Sequence, residues 1–264
     1  MFKEWKGKKL IIGLVHLLPM PGTPFYKEGD FERSIEKAVK DSLALVEGGA
    51  GGCLVQAVDK VYTNLDDTDY ARVSCITRIT SEVRRAVPKD FMVGVQLTWN
   101  CITPSLAAAI ASGADFTRCT ALIGKTESPF GTVEANPMKV MEYRRKIGAE
   151  KVDMIAELAG YHFHGAYDKS ALQTNAKSAL NVGANAVELL HPDEEINNQM
   201  VQDVKASNPD ISVILGGGTN VENASRRLKY ADAALVGACF ENNNWGGNID
   251  PETVKRYMAE IAKI

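Results

Sequence analysis

Apolar runs of strand length alternate with amphipathic stretches of helix length along this chain, and they do so eight times. The runs are Leu10–Leu17, Cys53–Val58, Phe91–Trp99, Phe116–Ile123, Val152–Ala159, Ala186–Leu190, Ser212–Leu215 and Ala233–Phe240. The spacing predicts helices over Phe31–Glu47, Ala71–Val87, Pro104–Ser112, Pro137–Ile147, Ser170–Val182, Glu195–Ser207, Val221–Tyr230 and Pro251–Ile264. Strands this continuously apolar belong to a parallel sheet covered on both faces. The turns repeat too. Glu47-Gly-Gly-Ala-Gly-Gly52, Ser112-Gly-Ala-Asp115 and Val182-Gly-Ala-Asn185 each place a glycine at a helix end and a small residue ahead of the next strand. Eight such units in 264 residues match the size of a closed (β/α)8, or TIM, barrel. An open doubly wound sheet competes, but Gly216-Gly-Gly218 lacks the third glycine of a GxGxxG nucleotide fingerprint. No linker or shift in composition interrupts the series, so residues 1–264 read as one barrel domain.

Composition narrows the partners. The formal net charge is −3 and no basic block stands out, which argues against nucleic acid. Five scattered cysteines, odd in number and without CxxC spacing, argue against a disulfide framework or zinc knuckle and for a reducing compartment. Lys3, Lys6, Lys8 and Lys9 precede Leu10–Val15 in the outline of a secretory leader, but His16 and Pro19 interrupt it. No run has the length of a membrane span. The expectation is a soluble cytoplasmic protein without membrane insertion, self-associating as a homo-oligomer as most soluble oligomers do.

In such a barrel, chemistry sits at the C-terminal ends of the strands. Val213-Ile-Leu-Gly-Gly-Gly-Thr219 and Ala233-Ala-Leu-Val-Gly-Ala-Cys-Phe240 are the seventh and eighth strands with glycine tips. Glycine lets backbone N–H groups come close to a ligand, and the loops after these two strands commonly hold a phosphate. Gly217, Gly218 and Gly237 are therefore the expected phosphate-binding residues. Two tight turns without a ligand are the plain alternative.

All four histidines, His16, His162, His164 and His191, fall at or just past a predicted strand end. Imidazole suits proton transfer near neutral pH. Glu157 and Glu188 lie inside otherwise apolar strands, where an unpaired carboxylate costs several kcal/mol. On neighbouring strands they can approach each other, which raises one pKa and suits acid–base work. They could equally hold a divalent cation with His162 and His191. Arg118, within the fourth strand, wants a carboxylate or a ligand anion, and a structural ion pair would serve as well. Gln56, Asp59, Gln96 and Asn100 can hydrogen-bond sugar-like hydroxyls or tie down loops. Lys60 and Lys125 read as solvated loop cations. No lysine lies in a predicted strand from the third onward, which disfavours Schiff-base chemistry.

The opening Gly13-Leu-Val-His-Leu-Leu-Pro-Met-Pro-Gly22 resembles the start of the BtpA family. Gly113-Ala-Asp-Phe-Thr-Arg118, Gly131-Thr-Val-Glu134 and Asp250-Pro-Glu-Thr-Val254 resemble further segments of that family. The resemblance implies a TIM barrel with a ribulose-phosphate-binding-like phosphate site. It implies either a role like that for which the family is named, photosystem I accumulation, or one like its sugar-uptake-associated SgcQ-like members. The chain departs from the family pattern after three strands. Gln56-Ala57 replaces a Glu-Asn-type pair. Glu157-Leu-Ala-Gly-Tyr-His162 replaces Asp-Val-His-Val-Lys-His. Cys239-Phe-Glu-Asn242 stands where a serine and lysine are frequent. The carboxylate and last histidine of the second motif survive, so His16, Glu157 and His162 carry over as catalytic candidates, joined by Glu188.

The expected function is acid–base chemistry on a small phosphorylated metabolite, a sugar or nucleoside phosphate. Gln56, Gln96, Asn100, Arg118 and His191 are the expected substrate contacts. No cofactor is implied beyond the possible divalent metal. The alternatives are a non-catalytic assembly factor and a regulator that binds a phosphometabolite.

Overall fold

The computed structural model describes residues 8–98, 100–160, 162–163 and 166–264. The strands are β1 Leu10–His16, β2 Gly52–Gln56, β3 Met92–Gln96, β4 Phe116–Cys119, β5 Lys125–Ser128, β6 Gly131–Glu134, β7 Asp153–Ala159, β8 Ala186–Leu189, β9 Ser212–Leu215 and β10 Ala233–Val236. The helices are α1 Asp30–Gly48, α2 Tyr70–Ala86, α3 Ile102–Ser112, α4 Pro137–Lys146, α5 Lys169–Asn181, α6 Glu194–Ser207, α7 Ala224–Arg227 and α8 Pro251–Ile261. Eight parallel strands close in the order β1-β10-β9-β8-β7-β4-β3-β2, the expected (β/α)8 barrel.

Because side chains alternate across a strand, each strand feeds two cores. Leu10, Ile12, Leu54, Met92, Phe116, Ile155, Ala186, Ile214, Ala233 and Leu235 point inward and fill the barrel. Their neighbours, such as Ile11, Val55, Val93, Met154, Val187, Val213 and Ala234, point outward and pack against the helices. That two-sided burial is why the strands lack polar alternation.

The repeated glycine turns have a second component. Gly49, Gly113 and Gly183 take the positive φ that ends each helix. After Gly113 and Gly183 the acid or amide two residues on reaches back to an amide near the start of the preceding strand, and Asp232 does the same ahead of β10. Asp115 accepts from Val93 N at 2.9 Å, Asn185 from Met154 N at 2.9 Å, and Asp232 from Val213 N at 2.8 Å. One latch, used three times, sets strand register at the bottom of the barrel.

Three expectations are corrected. Residues 125–134 form an antiparallel hairpin, β5–β6, where a loop was expected. The segment is largely polar, and Val133 is its one fully buried apolar side chain. The seventh helix shrinks to α7, because Asn220 Oδ1 accepts from the amides of Glu222 and Asn223 at 3.0 Å each, replacing a helical turn. The last strand stops at Val236, and Phe240 turns back to pack edge-on against Tyr257 at 5.2 Å. All five cysteines are free. Among the described residues, no helix is long and apolar enough to cross a membrane.

Candidate active site

Two residues beyond the uppermost apolar inward position, each barrel strand presents one more inward residue. These are His16, Gln56, Gln96, Arg118, Glu157, Glu188, Gly216 and Gly237. Register puts His16 beside Gln56, Gln56 beside Gln96, and Glu157 beside Glu188. The ring lies at the C-terminal mouth. Above it opens a cavity of about 660 Å³, whose walls include His16, Gln56, Arg118, His162 and the glycines at 216–218 and 237.

Arg118 organises one side of the ring. Its Nε donates to Glu188 Oε2 at 2.6 Å and its Nη2 to Glu188 Oε1 at 2.5 Å. The same Nη2 reaches Glu157 Oε2 at 3.4 Å. Glu157 also accepts from the His162 backbone N–H at 2.8 Å, and its Oε2 lies 2.6 Å from His162 Nδ1. Both carboxylates are fully buried. Burial alone would raise the pKa of Glu157, but the Arg118 guanidinium and His162 outweigh it and hold the carboxyl below the usual range. Burial pushes Glu188 up; Arg118 opposes the shift and the nearby Glu157 charge adds to it. The two acids are thus driven apart, as their adjacency predicts. A Cβ at position 216 would sit 2.0 Å from Glu188 Oε1, so only glycine leaves room for this carboxyl.

The same geometry bears on a metal. The oxygens of Glu157 and Glu188 are committed to Arg118 and His162. Among the described residues, no group of three or more His, Cys, Asp or Glu is placed to hold an ion. These carboxylates therefore do not fit a divalent site in this arrangement.

A second imidazole–carboxylate pair was not expected. His16 Nδ1 lies 2.8 Å from Glu241 Oε1, and Glu241 Oε2 accepts from Gly246 N at 3.1 Å. Both residues are buried, and the half-exposed Trp245 leans over the imidazole, ring centroids 5.4 Å apart. The apolar run that ends at Phe240 leaves Glu241 on an unremarkable loop in the sequence. Its visible signal is the break from the family's serine–lysine pair.

Of the glycine tips Gly217 is the open one, while Gly218 packs against Leu190, whose Cδ1 would be 3.0 Å from an added Cβ. Gly217 and Gly218 have φ of +134° and +71°, and a Cβ at 217 would meet nothing nearer than Leu190 at 4.0 Å. Gly237 lies against His16, whose Cε1 would be 3.1 Å from an added Cβ. Glycine tips and imidazoles therefore border one space.

Two expected contacts lie elsewhere. His191 lines a separate groove with Leu158, Phe163 and Met200; its Nδ1 accepts from Asp193 N at 3.1 Å, tying down the start of α6. Asn100 borders a cleft beside the β5–β6 hairpin. Asp59 is a loop tie, accepting from Met20 N at 3.0 Å. His164 lies outside the described residues.

Residues 7–263 match the model of the BtpA family. The chain belongs to that family. A protein of Archaeoglobus fulgidus is 32% identical over 95% of this chain and 98% of its own length. The photosystem I biogenesis protein BtpA of Synechocystis is 24% identical, covering 100% of this chain and 91% of the relative. Among solved structures, tryptophan synthase of Mycobacterium tuberculosis superposes with a TM-score of 0.67 at 16% identity, covering 98% of this chain and 96% of that one. Thiamine phosphate pyrophosphorylase from Pyrococcus furiosus gives 0.59 at 14% identity, with 98% of each chain covered. At these identities the structural likeness establishes the TIM barrel and nothing finer.

Proposed function

We propose that this protein is an enzyme that acts by acid–base chemistry on a small phosphorylated metabolite, a sugar or nucleoside phosphate. The observation that carries the reading is the meeting of two buried imidazole–carboxylate pairs with glycine-tipped strands around one cavity. In each pair a carboxylate holds Nδ1, which fixes the ring and leaves proton transfer to the other nitrogen. One imidazole can take a proton while the other gives one, as isomerisation, epimerisation, elimination or glycosidic cleavage requires. Arg118, fixed by Glu188, stands on the cavity wall as a proposed substrate contact. The amides of Gly217, Gly218 and Gly237 are the proposed phosphate grip. A cavity of about 660 Å³ is of the size that small-molecule sites occupy. The name of the Pyrococcus furiosus neighbour, a thiamine phosphate enzyme, supports the phosphate part of the reading. The proposal keeps the protein in the cytoplasm, without nucleic acid, as a homo-oligomer.

Thermal-shift screening against phosphorylated metabolites tests it. A compound at ~100-fold its Kd stabilises by ~2.7 kcal/mol. His16→Ala and Glu157→Gln should abolish turnover of the compound that binds. Absence of a shift with every phosphorylated compound would sink the proposal.

A second reading, an assembly factor, draws on the name of the Synechocystis relative. It also draws on Leu65, Tyr70 and Met138, which are 62%, 91% and 72% exposed. It predicts that His16→Ala and Glu157→Gln spare the cellular role and that polar substitutions at Leu65, Tyr70 and Met138 abolish it.

A further inference from the structure

Six groups at the mouth hydrogen-bond one another: Arg118 with Glu157 and Glu188, His162 with Glu157, and His16 with Glu241. The two glutamines of the ring differ. Gln96 is 1% exposed, yet among the described residues neither its Oε1 nor its Nε2 has a partner, and the buried Oε1 of Gln56 has none either. The two are register neighbours on β2 and β3, with His16 next in register on β1. On the other side, Arg118 stands two residues on from Phe116, the register partner of Gly94. Gln56 and Arg118 both wall the cavity, and Gln96, on β3, stands between their strands in the barrel order. Asn197, an equally buried amide, keeps one partner, its Oδ1 accepting from His191 N while its Nδ2 has none; Gln96 keeps neither. Orphaned buried amides are costly, and a methionine of similar shape would spare that cost. A pair kept this way has a use outside the fold.

The chemistry of the pair narrows its occupant. Two carboxamides offer carbonyl acceptors and NH2 donors without net charge. A phosphate or carboxylate only accepts, and would face bare carbonyl oxygens. A hydroxyl both donates and accepts. Adjacent strands are about 4.8 Å apart, so two neighbouring hydroxyls can each meet one carboxamide. We infer that Gln56 and Gln96 form a subsite for vicinal hydroxyls, which selects a polyol or sugar over other phosphate esters. The inference rests on the proposed function for the phosphate at the molecule's other end. It places a hydroxyl-bearing carbon next to His16.

Calorimetric titration of the wild type, Gln96→Met and Gln56→Met separates the possibilities. The probes are inorganic phosphate, propyl phosphate, ribose 5-phosphate and ribose. The wild type should bind ribose 5-phosphate at least ~10-fold tighter than propyl phosphate, and both variants should erase that preference while binding inorganic phosphate as before. Without any probe, Gln96→Met should melt at or above the wild-type temperature. A wild type with no preference for the hydroxylated ester overturns the subsite. So does a preference that survives in Gln96→Met, or a probe-free variant that melts several degrees lower. If no phosphate compound binds, the phosphate reading fails separately and ribose decides. Ribose binding that Gln96→Met removes still supports the subsite, and no ribose binding refutes it.

Discussion

Replacing Arg118 with methionine isolates the strongest interaction at the mouth. The guanidinium makes two hydrogen bonds to Glu188, at 2.5 and 2.6 Å, and both side chains are buried. Glu157 retains His162 in the variant, so the orphan is Glu188. A buried carboxylate without a partner escapes by taking a proton. From its ordinary value of 4.5 to pH 7 is two and a half units, at about 1.4 kcal/mol each. The penalty is therefore at most about 3.4 kcal/mol at pH 7, inside the range of about 3–5 kcal/mol for breaking buried pairs. At pH 5 it falls to about 0.7 kcal/mol. The sign follows from linkage. With its folded pKa raised, Glu188 holds its protons longer in the native state, so stability is complete below the unfolded pKa and drains away as pH rises. Urea unfolding of both proteins between pH 5 and 8 should show a gap that widens with pH. Arg118→Met/Glu188→Met should close it. A gap that is flat with pH, or under about 1 kcal/mol at pH 7, would refute the idea that Arg118 neutralises Glu188.

Other outcomes follow from neighbouring geometry. Glu241→Gln keeps the shape but not the charge at His16 Nδ1, and turnover of a processed phosphometabolite should fall by about 10²–10⁴ with KM little changed. Glu157, held below its ordinary pKa, contributes stability above the unfolded value that is lost as pH falls; the wild-type advantage over Glu157→Gln should shrink below about pH 4.5 in acid titration. Cys53 and Cys119 are fully buried with thiols pushed to about 12, and Cys101 to about 11. A thiol reagent should label Cys75 and Cys239 in the native protein and reach the other three only on unfolding.

The barrel was legible because its strands are apolar on both faces, a pattern that few architectures need. Much of the mouth was legible for a related reason. A polar residue inside such a strand, such as Arg118, Glu157 or Glu188, has nowhere to go except the open end. The same logic fails once a strand has ended. Glu241 and His191 both lie on loops, where periodicity carries no direction; one turned into the mouth and the other onto the start of α6. The β5–β6 hairpin escaped notice because it buries little. Its strands pair with each other, and its tip is tied across to Asn64, whose Nδ2 donates to Thr132 O at 3.1 Å. Helix α7 was overread because the side chains of Asn220 and Asn223 compete for backbone amides, which apolar spacing cannot reveal.

The central claim is that the glycine tips of β9 and β10 bind a phosphate facing the two imidazoles. Soaking crystals of the protein in inorganic phosphate and refining the density at the mouth tests it most directly. The account predicts a tetrahedral anion within hydrogen-bond reach of the amides of Gly217, Gly218 or Gly237. Closed tips with no anion in the cavity, or the anion seated elsewhere on the barrel, would contradict it.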